Sequence, residues 1–112
     1  MEKILRIYLS STDTYKHQSL YEVITRSAKQ FGIDGATVLR GSMGFGKSSQ
    51  LRSDKFWEFN LKQPIVIEMI DEEDKLLTFT DHLKTLMSDI PKGILITMED
   101  VKVLYHKTGV KA

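Results

Sequence analysis

The 112 residues contain no cysteine, which removes disulfides, thiolate metal centres and thiol redox chemistry from the functions open to this chain. Proline is scarce as well, with two in the whole sequence, and there is no repeat or low-complexity tract to mark an internal linker. No apolar run approaches the ~20 residues needed to span a bilayer, and no short apolar leader opens the sequence. An excess of one charge is also missing: 16 Lys and Arg stand against 15 Asp and Glu, so the net charge of +1 creates no field that would gather a polyanion. These absences predict a cytoplasmic, soluble protein without nucleic-acid binding or direct membrane insertion. Hydrophobic residues make up 41% of the chain, enough for one core, and a single domain over residues 1–112 is expected.

The periodicity of the apolar residues supplies the elements. Residues 4–9 alternate as a strand, with Leu5, Ile7 and Leu9 on one face and Ile4, Arg6 and Tyr8 on the other. After the polar turn S-S-T-D-T, Leu20, Val23, Ile24, Ala28 and Phe31 recur at helical spacing, and Gly32 stands where such a helix stops. Residues 36–41 and 65–70 are β-rich, the second run being entered through Pro64. The acidic residues 71–74 read as the start of a second helix with the stripe Leu76, Phe79, Leu83, Leu86 and Met87. Residues 94–97 form a fourth strand, and residues 101–105 alternate as a short fifth one or a continuation past a kink. The order is an α+β, ferredoxin-like β-α-β-β-α-β sandwich, an antiparallel sheet with two helices on one face.

One stretch points elsewhere. G-S-M-G-F-G-K-S, residues 41–48, fits the pattern G-x-x-x-x-G-K-[ST] of triphosphatase phosphate loops. Those loops lead from a parallel strand directly into a helix, whereas S-Q-L-R-S-D-K-F-W-E-F-N, which follows Ser48 here, carries no sustained helical stripe. The glycines therefore belong to a long loop, at about residues 44–63, joining the second and third strands. Such loops commonly carry function. Lys47, Arg52 and Lys55 supply positive charge within it, and Phe56 and Trp57 an aromatic surface that fits a partner-contact loop. G-F-G also occurs in RNA-binding modules of the same element order, but there it lies on the third strand, and the balanced charge opposes that reading. His17, His82 and His106 lack ligand spacing, and no nucleophile has an orienting pattern, so neither a metal site nor a catalytic residue is expected.

The segments L-R-I-Y-L, L-Y-E-V-I, G-A-T-V-L-R-G-S-M-G-F-G, P-I-V-I-E-M-I-D and E-D-V-K-V together resemble the PII-like domain-of-unknown-function family number 190, over nearly the entire chain. That family is similar to the PII nitrogen-regulatory proteins, ferredoxin-like trimers that bind adenine nucleotides in clefts between subunits and address partners through a long loop. The resemblance implies a homotrimer with no required cofactor, an adenine nucleotide ligand (ATP, ADP, AMP or cyclic AMP), and a client protein, with a membrane transporter one candidate. It also implies a non-enzymatic signalling role.

Carried over by position, Gly35, Ala36 and Thr37 match the strand near the loop base, Gly44, Phe45, Gly46 and Lys47 the start of the long loop, and Glu68, Met69 and Ile70 the cleft wall. Lys92 and Gly93 remain from a reduced second phosphate loop, with Lys107 as a further candidate where the paired arginines of PII are not reproduced. Residues 39–43 are one residue longer than the PII equivalent, which predicts a bulge or shifted loop base. Two further readings are a nucleotide-independent interaction module of the same fold and a P-loop-type nucleotide hydrolase.

Overall fold

The computed structural model describes residues 1–46 and 62–110. Strand β1 (Glu2–Ser10) leads through a two-stranded hairpin, β2 (Thr14–Tyr15) and β3 (Gln18–Ser19), into helix α1 (Leu20–Phe31). Strand β4 (Thr37–Arg40), strand β5 (Pro64–Glu72), helix α2 (Glu73–Leu86) and strand β6 (Leu95–Asp100) follow. The four longer strands form one antiparallel sheet in the order β4-β5-β1-β6. Leaving the small hairpin aside, this is the β-α-β-β-α-β order of the ferredoxin-like sandwich.

Strict alternation along the two central strands builds the core. Leu5, Ile7 and Leu9 of β1 and Ile65, Ile67 and Met69 of β5 are buried against the helices. Leu20, Ile24 and Ala28 of α1 and Leu76, Phe79 and Leu83 of α2, all at three- and four-residue steps, close over them. Each of the Leu, Ile, Met and Phe side chains contributes about 1.5–3 kcal/mol when fully buried. Phe79 is the largest with no exposure, and its ring stands 5.4 Å from that of Phe31 at the helix–helix seam.

Gly32 ends α1 with φ 97°, and its N–H reaches the Lys29 carbonyl at 3.2 Å while the Ile33 N–H reaches that of Ala28 at 3.0 Å. These two bonds satisfy the last carbonyls of the helix and direct Ile33 into the core.

Four sequence expectations change. Only the second half of the acidic run begins α2: Asp71 and Glu72 complete β5, Glu72 standing at the N-cap, and the helix starts at Glu73 with Asp74 in its first turn. Alternation in β5 turns the Asp71 side chain inward, where it is 4% exposed. There its carboxylate accepts the N–H groups of Glu72 (2.8 Å) and Asp34 (3.0 Å) and pairs with Lys75 (3.1 Å). The polar turn after β1 contains the hairpin β2–β3, whose two turn residues, Lys16 (φ 48°) and His17 (φ 68°), occupy the left-handed region without glycine. Buried Asp13 closes its base, its carboxylate accepting the Ser10 N–H and its carbonyl the Leu20 N–H.

The fifth strand is absent among the described residues, and residues 101–110 form no regular element. β6 pairs with β1 up to Asp100 opposite Lys3, one residue from the start of β1 at Glu2, so no strand remains opposite residues 102–105. Phe31, placed in the α1 stripe, is 37% exposed at the seam's edge.

Two stability measurements check this packing. Phe79→Ala should lower the urea-unfolding free energy by about 3–5 kcal/mol, the usual cost of an aromatic cavity. Burial would raise the pKa of Asp71, but the N–H groups of Glu72 and Asp34 and the Lys75 ammonium outweigh it and hold the carboxyl below its ordinary 3.8. A lowered folded-state pKa stabilises the protein above the unfolded value, and this contribution disappears as pH falls through the folded one. Asp71→Asn should therefore cost about 2 kcal/mol at pH 7, with the gap to the parent narrowing below about pH 4.

Candidate functional site

The long loop leaves and re-enters the sheet through a tied base. At its start, the Gly41 N–H donates to the Pro64 carbonyl at 2.7 Å. At its return, the Gln63 carbonyl accepts the Ser11 N–H at 2.8 Å and the Gln63 N–H donates to Ser11 Oγ at 2.9 Å. The Arg40 guanidinium spans the two, donating to Gln63 Oε1 and to the Tyr21 hydroxyl, each at 3.2 Å, with its carbon 5.7 Å from the centre of the Tyr21 ring. Four separate segments, the end of β1, the first turn of α1, the end of β4 and the start of β5, are thus joined at one end of the sheet.

The glycines at this base have a packing role. A Cβ on Gly41 would lie 2.7 Å from Pro64 Cγ, and one on Gly44 would lie 3.5 Å from it. Residues 41–44 fold close over the Pro64 ring, which accounts for glycine at position 41 without any phosphate. The sheet is antiparallel where the triphosphatase pattern requires a parallel strand feeding a helix, so residues 41–46 do not occupy that setting.

The residues singled out from the sequence are only partly brought together. Gly35 and Ala36 precede β4, and Thr37, its first residue, lies opposite Glu68. Gly44, Phe45 and Gly46 lie beyond the other end of β4, exposed, with Phe45 at 70%. Of the proposed wall residues, Met69 has its side chain in the core, 1% exposed, because β5 alternates and position 69 shares the helix face with Ile65 and Ile67. Glu68 and Ile70 point to the opposite, uncovered face, where Arg6 Nε donates to Glu68 at 2.8 Å and its guanidinium also pairs with Glu99.

Lys92 and Gly93, both exposed, precede β6 at the same end of the sheet as the loop base. They lie on the other edge, however, three strand spacings or about 14 Å from β4. Lys47, Arg52, Lys55, Phe56 and Trp57 fall outside the described residues.

Arg40, Tyr21, Gln63 and Ser11, which organise the loop base, were not identified as site residues from the sequence. Arg40 and Tyr21 both stand inside quoted blocks, G-A-T-V-L-R-G and L-Y-E-V-I, but nothing local connects two residues 19 positions apart. Between α1 and the outer edge of β4 runs a shallow groove of about 200 Å³ lined by Tyr21, Glu22, Thr25, Arg26 and Val38. Among the described residues no three His, Asp or Glu side chains gather as metal ligands, and no helix is long and apolar enough to cross a membrane.

Residues 2–103 match the family DUF190, described as "Uncharacterized ACR, COG1993". The chain belongs to this family. A curated relative, a UPF0166 protein of Aquifex aeolicus, is 36% identical over 104 residues, covering 93% of this chain and 94% of its own. In three dimensions the DUF190 chain is similar to a Thermus thermophilus protein described as PII-like (TM-score 0.59, 22% identity, 89% and 86% of the two chains). It is also similar to CPII of Thiomonas intermedia, a nitrogen regulatory PII-like protein described as bound to ADP, AMP and bicarbonate (TM-score 0.57, 15% identity, 93% and 96%). At these identities the likeness to the solved structures is one of fold, and the fold is PII-like.

A pair of substitutions, one at the loop base and one at the opposite end of β4, tests the packing role of Gly41. Gly41→Ala should destabilise the protein by about 1–3 kcal/mol, because the Pro64 ring or the strand must move. Gly35→Ala, where nothing lies within 4 Å of the added Cβ, should stay within about 0.5 kcal/mol of the parent in the same urea titration.

Proposed function

We propose that this DUF190 protein is a cytoplasmic PII-like regulator, which senses an adenine nucleotide at clefts between the subunits of a homotrimer and signals to a client protein through its loop, residues 44–63. The tied loop base carries the reading: Arg40, Gly41, Gln63 and Pro64 hold both ends of a long segment on a rigid sheet, which is what a ligand needs if it is to bias that segment's conformation. The description of CPII as bound to ADP and AMP supports the class of ligand.

Two features favour a shared cleft. Lys92 and Gly93 sit across the sheet from the loop base, so one chain by itself does not surround a ligand with both. The uncovered sheet face presents Tyr8, Leu39, Ile70 and Leu95, each at least 37% exposed, as surface for association.

Calorimetric titration with ATP, ADP, AMP and cyclic AMP tests the reading. At least one should give heat and a raised unfolding temperature, and Lys92→Ala should weaken its binding about tenfold through loss of a charged phosphate contact. Absence of both heat and thermal shift with all four nucleotides overturns nucleotide sensing.

A second reading, an interaction module that works without nucleotide, is favoured by one observation. Of the three wall residues, Met69 has its side chain in the core and Glu68 is paired with Arg6, so two of the three side chains are engaged within the chain. Under that reading client capture depends on Trp57 and is the same with and without nucleotide; under the first reading nucleotide changes it.

A further inference from the structure

The arginines among the described residues fall into two groups. Arg6 pairs with Glu68 and Glu99, and Arg26 with Glu22. Arg40 meets no carboxylate among the described residues. Its partners are the neutral Gln63 Oε1 and the Tyr21 hydroxyl, each at 3.2 Å, the long end of the range for an N–H···O bond.

These two bonds use only part of a guanidinium fork that offers five N–H donors. The Tyr21 ring, its centre 5.7 Å from the guanidinium carbon, holds the fork from a third direction. The side chain is thus fixed in place while its charge stays unneutralised. Neutral side chains could tie a loop base as well as this one does. A prearranged guanidinium without a counter-charge suits an oxyanion instead, to which its bonds are shorter and about twice as strong as those to neutral acceptors.

Tyr21 supplies a further donor. Its oxygen accepts from Arg40, and its own O–H proton has no acceptor among the described residues. Space for a ligand opens beside it: the groove of about 200 Å³ is walled by the Tyr21 ring, Thr25 and Val38, while Glu22, also in its lining, is turned to Arg26 at 3.8 Å. Val38 and Arg40 stand opposite Ile67 and Ile65, whose side chains are in the core, so both face the helices. The groove therefore lies on the other side of the sheet from Glu68 and Ile70.

We propose that Arg40 and Tyr21 form a binding site for an oxyanion, a carboxylate or a phosphate group, with the body of the ligand in the groove over Val38. The guanidinium donates through the N–H groups that Gln63 and Tyr21 leave unused, and the Tyr21 hydroxyl donates as well. This site is separate from the shared cleft of the reading above and does not depend on it.

Isotope labelling of the arginines in the full chain gives a separate Nε–H signal for each, and that of Arg40 is identified by its loss in Arg40→Lys. At constant ionic strength, exchange of chloride for inorganic phosphate or for acetate should shift the Arg40 signal to a plateau and leave those of Arg6 and Arg26 in place. Arg40→Lys, which keeps the charge and loses the fork, should weaken phosphate binding about tenfold in calorimetry. Tyr21→Phe, which keeps the ring and removes one donor, should weaken it about threefold, with the Arg40 signal still responding. ADP is titrated in parallel.

A plateau with phosphate or acetate supports a site for a free anion, and a plateau with ADP alone supports the same site as the seat of a nucleotide's phosphate. An Arg40 signal that stays still with all three, or that drifts without saturation in step with Arg6 and Arg26, overturns the site and leaves nucleotide sensing standing. A phosphate plateau without heat from any nucleotide retains the site and removes the sensing.

Discussion

The antiparallel pairing of β1 with β5 is the constraint on which the rest of the structure depends. Its register runs unbroken from Glu2 opposite Glu72 to Ser10 opposite Pro64. Because side chains alternate with a period of two, this register decides at once which residues form the core and which form the uncovered face. Leu5, Ile7, Leu9, Ile65, Ile67 and Met69 go to the helices, while Arg6 and Glu68 meet on the other side. A slip of one residue would exchange the two sets and leave Asp71 outside, away from the Asp34 N–H that it accepts.

The same ladder positions the loop. Pro64 is the last paired residue of β5 in this register, and the Gly41 N–H bonds to its carbonyl while the neighbouring Gln63 bonds to Ser11 at the end of β1. The base of the long loop is therefore tied to the best-paired strands of the molecule. Under the proposed function, a ligand that displaced Arg40 from Tyr21 and Gln63 would act on the segment carried by this frame without disturbing the core. The reading of the protein as a regulator depends on this mechanical relation more than on any one binding residue.

Much of this arrangement is legible in the sequence because it follows from periodicity. The stripes of α1 and α2, the alternation of β1 and β5 and the stop at Gly32 each arise from local residues, and the order of elements leads to the ferredoxin-like class. The features that escape are those in which a distant partner decides. Residues 101–105 alternate like a strand, but alternation says nothing of whether a strand lies alongside. The acidic residues 71–74 look like one helix start from composition, but register assigns Asp71 and Glu72 to the sheet and leaves Glu73 and Asp74 to the helix. The turn residues Lys16 and His17 lack the glycine or asparagine that marks a tight hairpin. Gly41 reads equally as a phosphate-loop glycine or as space for a ring, and the ring belongs to Pro64, on the far side of the loop. The family resemblance supplies fold and kinship, whereas the pairing of Arg40 with Tyr21 and Gln63 comes only from the folded chain.

The central claim is that the loop base is where ligand binding and loop conformation meet. Amide hydrogen exchange followed by mass spectrometry, with and without saturating ADP, addresses it most directly. The account predicts slow exchange at the Gly41 and Gln63 N–H groups in the free protein and a further change, on adding nucleotide, concentrated in residues 41–46 and 62–64. Nucleotide binding that leaves exchange in these two segments unaltered would contradict it.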